Sequence, residues 1–211
     1  MIKAVLFDFD GVITTDGTGT ESICRYISDA AGIDRQLFET EYRKFNYDLL
    51  TGKTTHREIW PKLCSAIGMD IPFRLLHESF INTPMDNGII KLIKEIKNSG
   101  YKTGIVTNNK TDRIDIISDH FKMEDYFDEI IISAEIGSGK NEQRIFYLIL
   151  KKLSVSPKEV IFIDNSRNNL EVPGRMGLHC ILFNHEKRDI NKLIDNLKLK
   201  GTEINFYKRN C

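Results

Sequence analysis

The hydrophobic pattern changes character along the chain. It opens on Ala4-Val-Leu-Phe7, an unbroken apolar run of the kind used by a strand buried on both faces. From about residue 21 to residue 80 the apolar positions fall at helical spacing, with no strand-like alternation. Helices are predicted over residues 21–31, with Thr20 as N-cap and Gly32 just past the end, and over 36–50, carrying Leu37, Tyr42, Phe45 and Leu49. A third is predicted over 54–67, capped by Thr54 or Thr55 and ended by Gly68, with Pro61 kinking it or marking the start of its main part. A shorter one follows over 72–80.

Beyond residue 85 helix and strand alternate. Helical periodicity covers 86–99, 112–121, 142–153, 168–176 and 190–199, with Gly100 and Gly177 as stops. Apolar strand runs cover 102–106, 128–133, 160–163 and 178–183. Pro173-Gly174 should bend its helix, and residues 201–211 read as a polar tail. Strands separated by helices imply a parallel sheet with helices on both faces. The expected fold is therefore α/β, a Rossmann-like core with an inserted all-helical cap. The core takes residues 1–13 and 85–211, the cap residues 14–84, and Thr14 to Thr20 serve as a hinge or linker.

Composition narrows the function. The 211 residues are 41% hydrophobic and 28% charged, with thirty basic side chains against thirty acidic ones. Such a balance gives no net field toward nucleic acid or an anionic membrane. No apolar run approaches a membrane span, and no basic and apolar leader opens the chain, so a cytoplasmic protein is expected. Four scattered cysteines without a C-x-x-C pair read as free thiols, and five histidines show no metal-ligand spacing. Asn109-Lys-Thr111 matches a glycosylation sequon, which carries no weight without a secretory signal.

The candidate chemistry sits at the strand ends, where a parallel sheet places its ligands. The first strand leads into Asp8 and Asp10, which strand alternation would put on one face with Gly11 behind them. Two adjacent acids repel unless a cation or a shared proton offsets them, and hard oxygen ligands point to Mg²⁺. The second strand ends in Thr107-Asn108-Asn109, the loop after the third holds Gly137-Ser-Gly-Lys140, and the fourth ends in Asp164-Asn165. The Gly-Ser-Gly-Lys run is not a nucleotide-binding P-loop, because Ala134 and Asn141 stand where that loop needs Gly and Ser or Thr. On the helical insert Arg25, Arg43, Lys44, His56 and Trp60 could face the crevice, although such residues mostly form a solvated face or a core.

In order, spacing and strand-end placement, Asp8-Phe-Asp10-Gly-Val, Thr107, Lys140 and Ile163-Asp164 resemble the four motifs of the haloacid dehalogenase superfamily, in its branch with a helical cap between the first two. The resemblance implies that Asp8 is a nucleophile forming an aspartyl-phosphate and that Asp10 is the general acid and base. It implies Mg²⁺ held by Asp8, the backbone carbonyl of Asp10, and Asp164. Thr107 and the backbone N–H of Asn108 would bind phosphate oxygens, and Lys140 would neutralise the nucleophile and phosphate. An acid at position 10 favours cleavage of a phosphate ester over dehalogenation, because an alkoxide must be protonated to leave and a halide need not be. The expected substrate is a small phosphate ester such as a sugar phosphate; the alternatives are a phosphomutase or a non-catalytic or weakly active binding protein. The sequence departs from the family pattern where Asn165 and Asn168 stand in place of a second acid, and where Asn141, not proline, follows the lysine.

Overall fold

The computed structural model describes residues 1–203. Its centre is a five-stranded sheet in the order β3-β2-β1-β4-β5. The strands are β1 (Ala4–Phe7), β2 (Lys102–Thr107), β3 (Glu129–Ile132), β4 (Val160–Asp164) and β5 (His179–Leu182), and every pairing is parallel. β1 lies in the middle, with Phe7 opposite Ile105 on one side and Ile163 on the other. All four of its residues are fully buried, as its unbroken apolar run requires.

Alternation along β1 divides the core into two layers. Val5 and Phe7 pack with α6 (Asn87–Asn98), α7 (Thr111–Phe121) and α11 (Ile190–Leu199), whereas Ala4 and Leu6 pack with α9 (Gln143–Leu153) and α10 (Arg167–Met176). Helices thus cover both faces of the sheet. No helix among the described residues is long and apolar enough to cross a membrane. Residues 204–211, most of the expected polar tail, lie outside the described residues.

Between β1 and α6 lie five helices, α1 (Gly19–Ala31), α2 (Arg35–Arg43), α3 (Asn46–Leu50), α4 (His56–Ile67) and α5 (Arg74–Ile81). The chain enters and leaves this insert side by side, through an antiparallel bridge between Thr14 and Met85. α1 begins earlier than expected, because Thr18 rather than Thr20 accepts the cap hydrogen bond from Glu21 N. Thr55 caps α4 in a reciprocal box with Glu58, and the helix runs on through Pro61. The single helix expected over 36–50 is two, broken at Lys44 and Phe45. Tyr42 and Leu49 are buried as expected, but Leu37 is exposed and Phe38 faces the core in its place. The break aims α3 at α8 (Ser133–Ile136), a short helix that the sequence pattern did not reveal, where Ser133 Oγ donates to the Leu50 carbonyl at 2.7 Å.

Candidate active site

β1 ends at Phe7, before either acid. Asp8 is extended and caps the next turn, its Oδ1 accepting from Phe9 N at 2.6 Å. Residues 9–13 then form a wide helical turn closed by Thr14 N on the Phe9 carbonyl. Gly11 makes the turn possible: its φ of +80° disfavours any side chain, and a Cβ there would lie 2.1 Å from Asn165 Nδ2. The expectation that strand alternation aims Asp8 and Asp10 in one direction is therefore corrected. The two carboxylates line one cavity but have separate partners.

Asp8 faces Lys140, whose Nζ lies 2.5 Å from Asp8 Oδ1 and 2.7 Å from Asp164 Oδ2. All three are buried. Burial pushes the Asp8 carboxyl up to about 7, against the downward pull of Lys140 and with a further upward push from Asp164. Burial also pulls at the Lys140 ammonium, but Asp8 and Asp164 outweigh it and raise its pKa, so it stays charged. Asp164 is fixed further by Ser166 N at 2.8 Å and by Asn169 Nδ2 at 3.1 and 3.2 Å from its two oxygens. Asp8 Oδ2 accepts no hydrogen bond among the described residues.

Asp10 belongs to a second cluster. Arg113, on α7 and fully buried, donates to both of its oxygens at 2.9 Å, a two-pronged clamp. Asn109 Nδ2 adds a bond of 2.7 Å to Asp10 Oδ2 and reaches Thr107 Oγ1 at 3.3 Å. Gly19 lets α1 start against this clamp, since a Cβ would lie 2.4 Å from Arg113 Nη1. The cation expected to offset the acid pair is thus partly supplied by the chain itself, Lys140 serving Asp8 and Arg113 serving Asp10.

The cavity between these clusters has a volume of about 550 Å³. Asp8, Asp10, Thr107, Asn108 and Lys140 all line it, so the expected nucleophile, acid and phosphate ligands converge there. Asp164 is sealed beneath Lys140, with no exposed surface. Asn108 also positions the lysine, its Oδ1 accepting from Lys140 N at 2.9 Å.

A model of haloacid dehalogenase-like hydrolases matches residues 2–177. The chain belongs to this hydrolase family. The family's fold recurs in a Bacteroides thetaiotaomicron family enzyme solved as a magnesium complex, with a TM-score of 0.73 at 20% identity over 92% of this chain and 98% of that one. In sequence the chain is 28% identical to rat bifunctional epoxide hydrolase 2 over 96% of its own length, spanning 40% of that larger protein. It is 27% identical to a glyceraldehyde 3-phosphate phosphatase of Methanothermobacter thermautotrophicus, covering 97% of this chain and 94% of that one.

Within this hydrolase several residues at the cavity differ from those that the sequence pattern pointed to. Asn168, expected near the metal end, is exposed and away from the cavity; its neighbour Asn169 is the residue that reaches Asp164. Asn165 does line the cavity. Arg113 and Lys110 carried no motif signal, because an arginine or lysine on or just before a helix is indistinguishable from a solvated one until its neighbours are known, whereas Asn109 was visible at the end of the second strand but its bond to Asp10 was not. Of the insert residues singled out, only Arg43 lines the cavity. Arg25 pairs with Asp16, Lys44 with Glu41, Trp60 donates to the Ile71 carbonyl, and His56 is buried between Tyr42 and Asp112. Among the described residues no three His, Cys, Asp or Glu side chains converge as a metal site.

Proposed function

We propose that this hydrolase is a Mg²⁺-dependent phosphatase cleaving a small phosphate ester through an aspartyl-phosphate on Asp8. One observation carries the reading: Asp8 has one oxygen held by Lys140 and Phe9 N, and the other free beside the cavity. Asp8 Oδ2 attacks phosphorus, the ester P–O bond breaks, and the leaving oxygen takes a proton from Asp10. Water then attacks the acyl phosphate, passes its proton back to Asp10, and releases inorganic phosphate and free Asp8. The Arg113 clamp holds Asp10 in its resting place, so proton delivery requires one carboxylate oxygen to swing off the guanidinium. Thr107 and the backbone N–H of Asn108 receive the phosphate oxygens.

The residues present fit Mg²⁺ in charge and chemistry. Asp8 and Asp164 share a single ammonium, which leaves one negative charge and an unbonded carboxylate oxygen in a buried corner. Asp8, Asp164 and the Asp10 carbonyl would hold the ion, which when bound supplies positive charge between carboxylate and phosphate. Residues 14–84 act as a cap over the strand ends. The paired entry and exit at Thr14 and Met85 support this reading, as does the Ser133–Leu50 contact. Relatives named for phosphatase activity on glyceraldehyde 3-phosphate and phosphoglycolate support a small substrate.

The test is phosphate release from para-nitrophenyl phosphate and a panel of small phosphate esters, with Mg²⁺ varied and Asp8→Asn beside wild type. Mg²⁺-dependent turnover that falls about 10³-fold or more in the variant is expected. Turnover surviving in Asp8→Asn would overturn the mechanism, and none on any ester would favour a binding protein.

A further inference from the structure

The cavity contains a second lysine that the hydrolytic chemistry does not use. Lys110 is the N-cap residue of α7, only 4% exposed, and lines the cavity. Its ammonium has no hydrogen-bond acceptor among the described residues and meets only the face of Tyr42, 5.7 Å from the ring centre. It is also absent from the polar side-chain atoms that are both sealed and unpaired, namely Ser28 Oγ, Thr83 Oγ1, Arg113 Nε and Thr202 Oγ1. The charge therefore still opens onto the cavity.

The acids that could neutralise it are committed elsewhere. Arg113 takes both oxygens of Asp10, and Asp112 binds His56 Nδ1 at 2.7 Å. His56 Nε2 in turn meets the Tyr42 hydroxyl at 2.7 Å, so Asp112, His56 and Tyr42 form a relay that fixes the ring beneath Lys110. A buried cation without a partner is costly, and a site that fixes the ring beneath it with buried His56 and half-exposed Asp112 is shaped for an anion from outside the chain.

We propose that Lys110 determines specificity by binding a carboxylate on the substrate, remote from the reacting phosphate. The inference rests on the phosphatase reading for the reacting end of the ligand. A carboxylate is the matching group because its single charge balances one ammonium, whereas a second phosphate would leave excess negative charge in a desolvated place. The substrate class is then a small phosphorylated carboxylic acid, which a cavity of about 550 Å³ accommodates.

The test uses probes that no phosphatase cleaves. Binding of 3-phosphonopropionate and of propylphosphonate, which has a methyl in place of the carboxylate, is measured by calorimetry with Mg²⁺ on wild type and Lys110→Met. Wild type should prefer the carboxylated probe by about tenfold or more, the usual worth of a charge-assisted contact. Lys110→Met should lose that preference and keep its affinity for propylphosphonate. Equal affinities in wild type, binding of neither probe, a preference surviving in the variant, or equal weakening of both probes would each overturn the proposal. The wild-type ratio alone decides it if the variant does not fold. Turnover of para-nitrophenyl phosphate and of the panel of small phosphate esters by wild type is read separately. Turnover without carboxylate preference sinks this inference alone, and preference without turnover sinks the phosphatase reading alone.

Discussion

Lys140 and Lys110 line the same cavity and are almost equally buried, at 1% and 4% exposure, yet they are opposite cases. Lys140 lies between two carboxylates, and their charge outweighs burial and raises its pKa. Lys110 has no acceptor among the described residues, and burial, reinforced by the nearby Arg113, pushes its pKa down to about 8. The cost of burying a charge is therefore set by what surrounds it. A saturated lysine belongs to the protein's own electrostatic framework, whereas an unsaturated one keeps its charge available to a ligand.

The sharpest way to break this comparison is to make the same substitution at both lysines. Lys140→Met strands two buried carboxylates and should cost about 3 kcal/mol of stability or more, with turnover reduced at least about 100-fold. Denaturant unfolding and steady-state kinetics check both effects. Arg113→Met similarly strips Asp10 of its clamp and should cost about 2–3 kcal/mol, read from the unfolding midpoint at unchanged slope. Lys110→Met should instead leave stability unchanged or raise it by up to about 1 kcal/mol, because it removes a charge that nothing pairs. A loss at Lys110 comparable to that at Lys140 would erase the distinction.

The smallest effect is in pH. Lys110 faces Arg113, Asp10, Cys24 and Asp112, and its folded pKa of about 8 lies below the ordinary 10.5. Between those values the unfolded chain binds more protons at this residue, so its contribution to stability grows as pH rises from about 8 and is lost as pH falls back. Over the same rise the empty site loses its charge, and affinity for a carboxylated ligand should fall. Lys110→Met should flatten both trends, which thermal unfolding and calorimetry across pH 7 to 10 would show.

Much of the site was legible because strand ends are legible. The apolar runs located β1, β2 and β4, and the polar residues just past them, Asp8, Thr107 and Asp164, had to lie at one edge of a parallel sheet. Lys140 was legible as a residue of the loop after the third strand, and its role only through its resemblance to a family motif, since a lysine in a glycine-rich loop has no periodicity to place it. The break between α2 and α3 was illegible. Nothing local demands it, and the α3–α8 contact through Ser133 decides it.

By itself, then, the chain determined its alternation of strand and helix, the helical insert, and the acids, hydroxyl and lysine of one crevice. These follow from local patterns and from the short reach between a strand and the loop after it. Only the tertiary structure decided that Asp10 turns to Arg113, that Asn169 rather than Asn168 holds Asp164, and that Lys110 has no acceptor among the described residues. The first is a pairing across long sequence separation, the second joins a strand end to the following helix, and the third is a pairing that packing withholds. Charges there are allotted by which groups packing brings within reach, and no spacing along the chain encodes that.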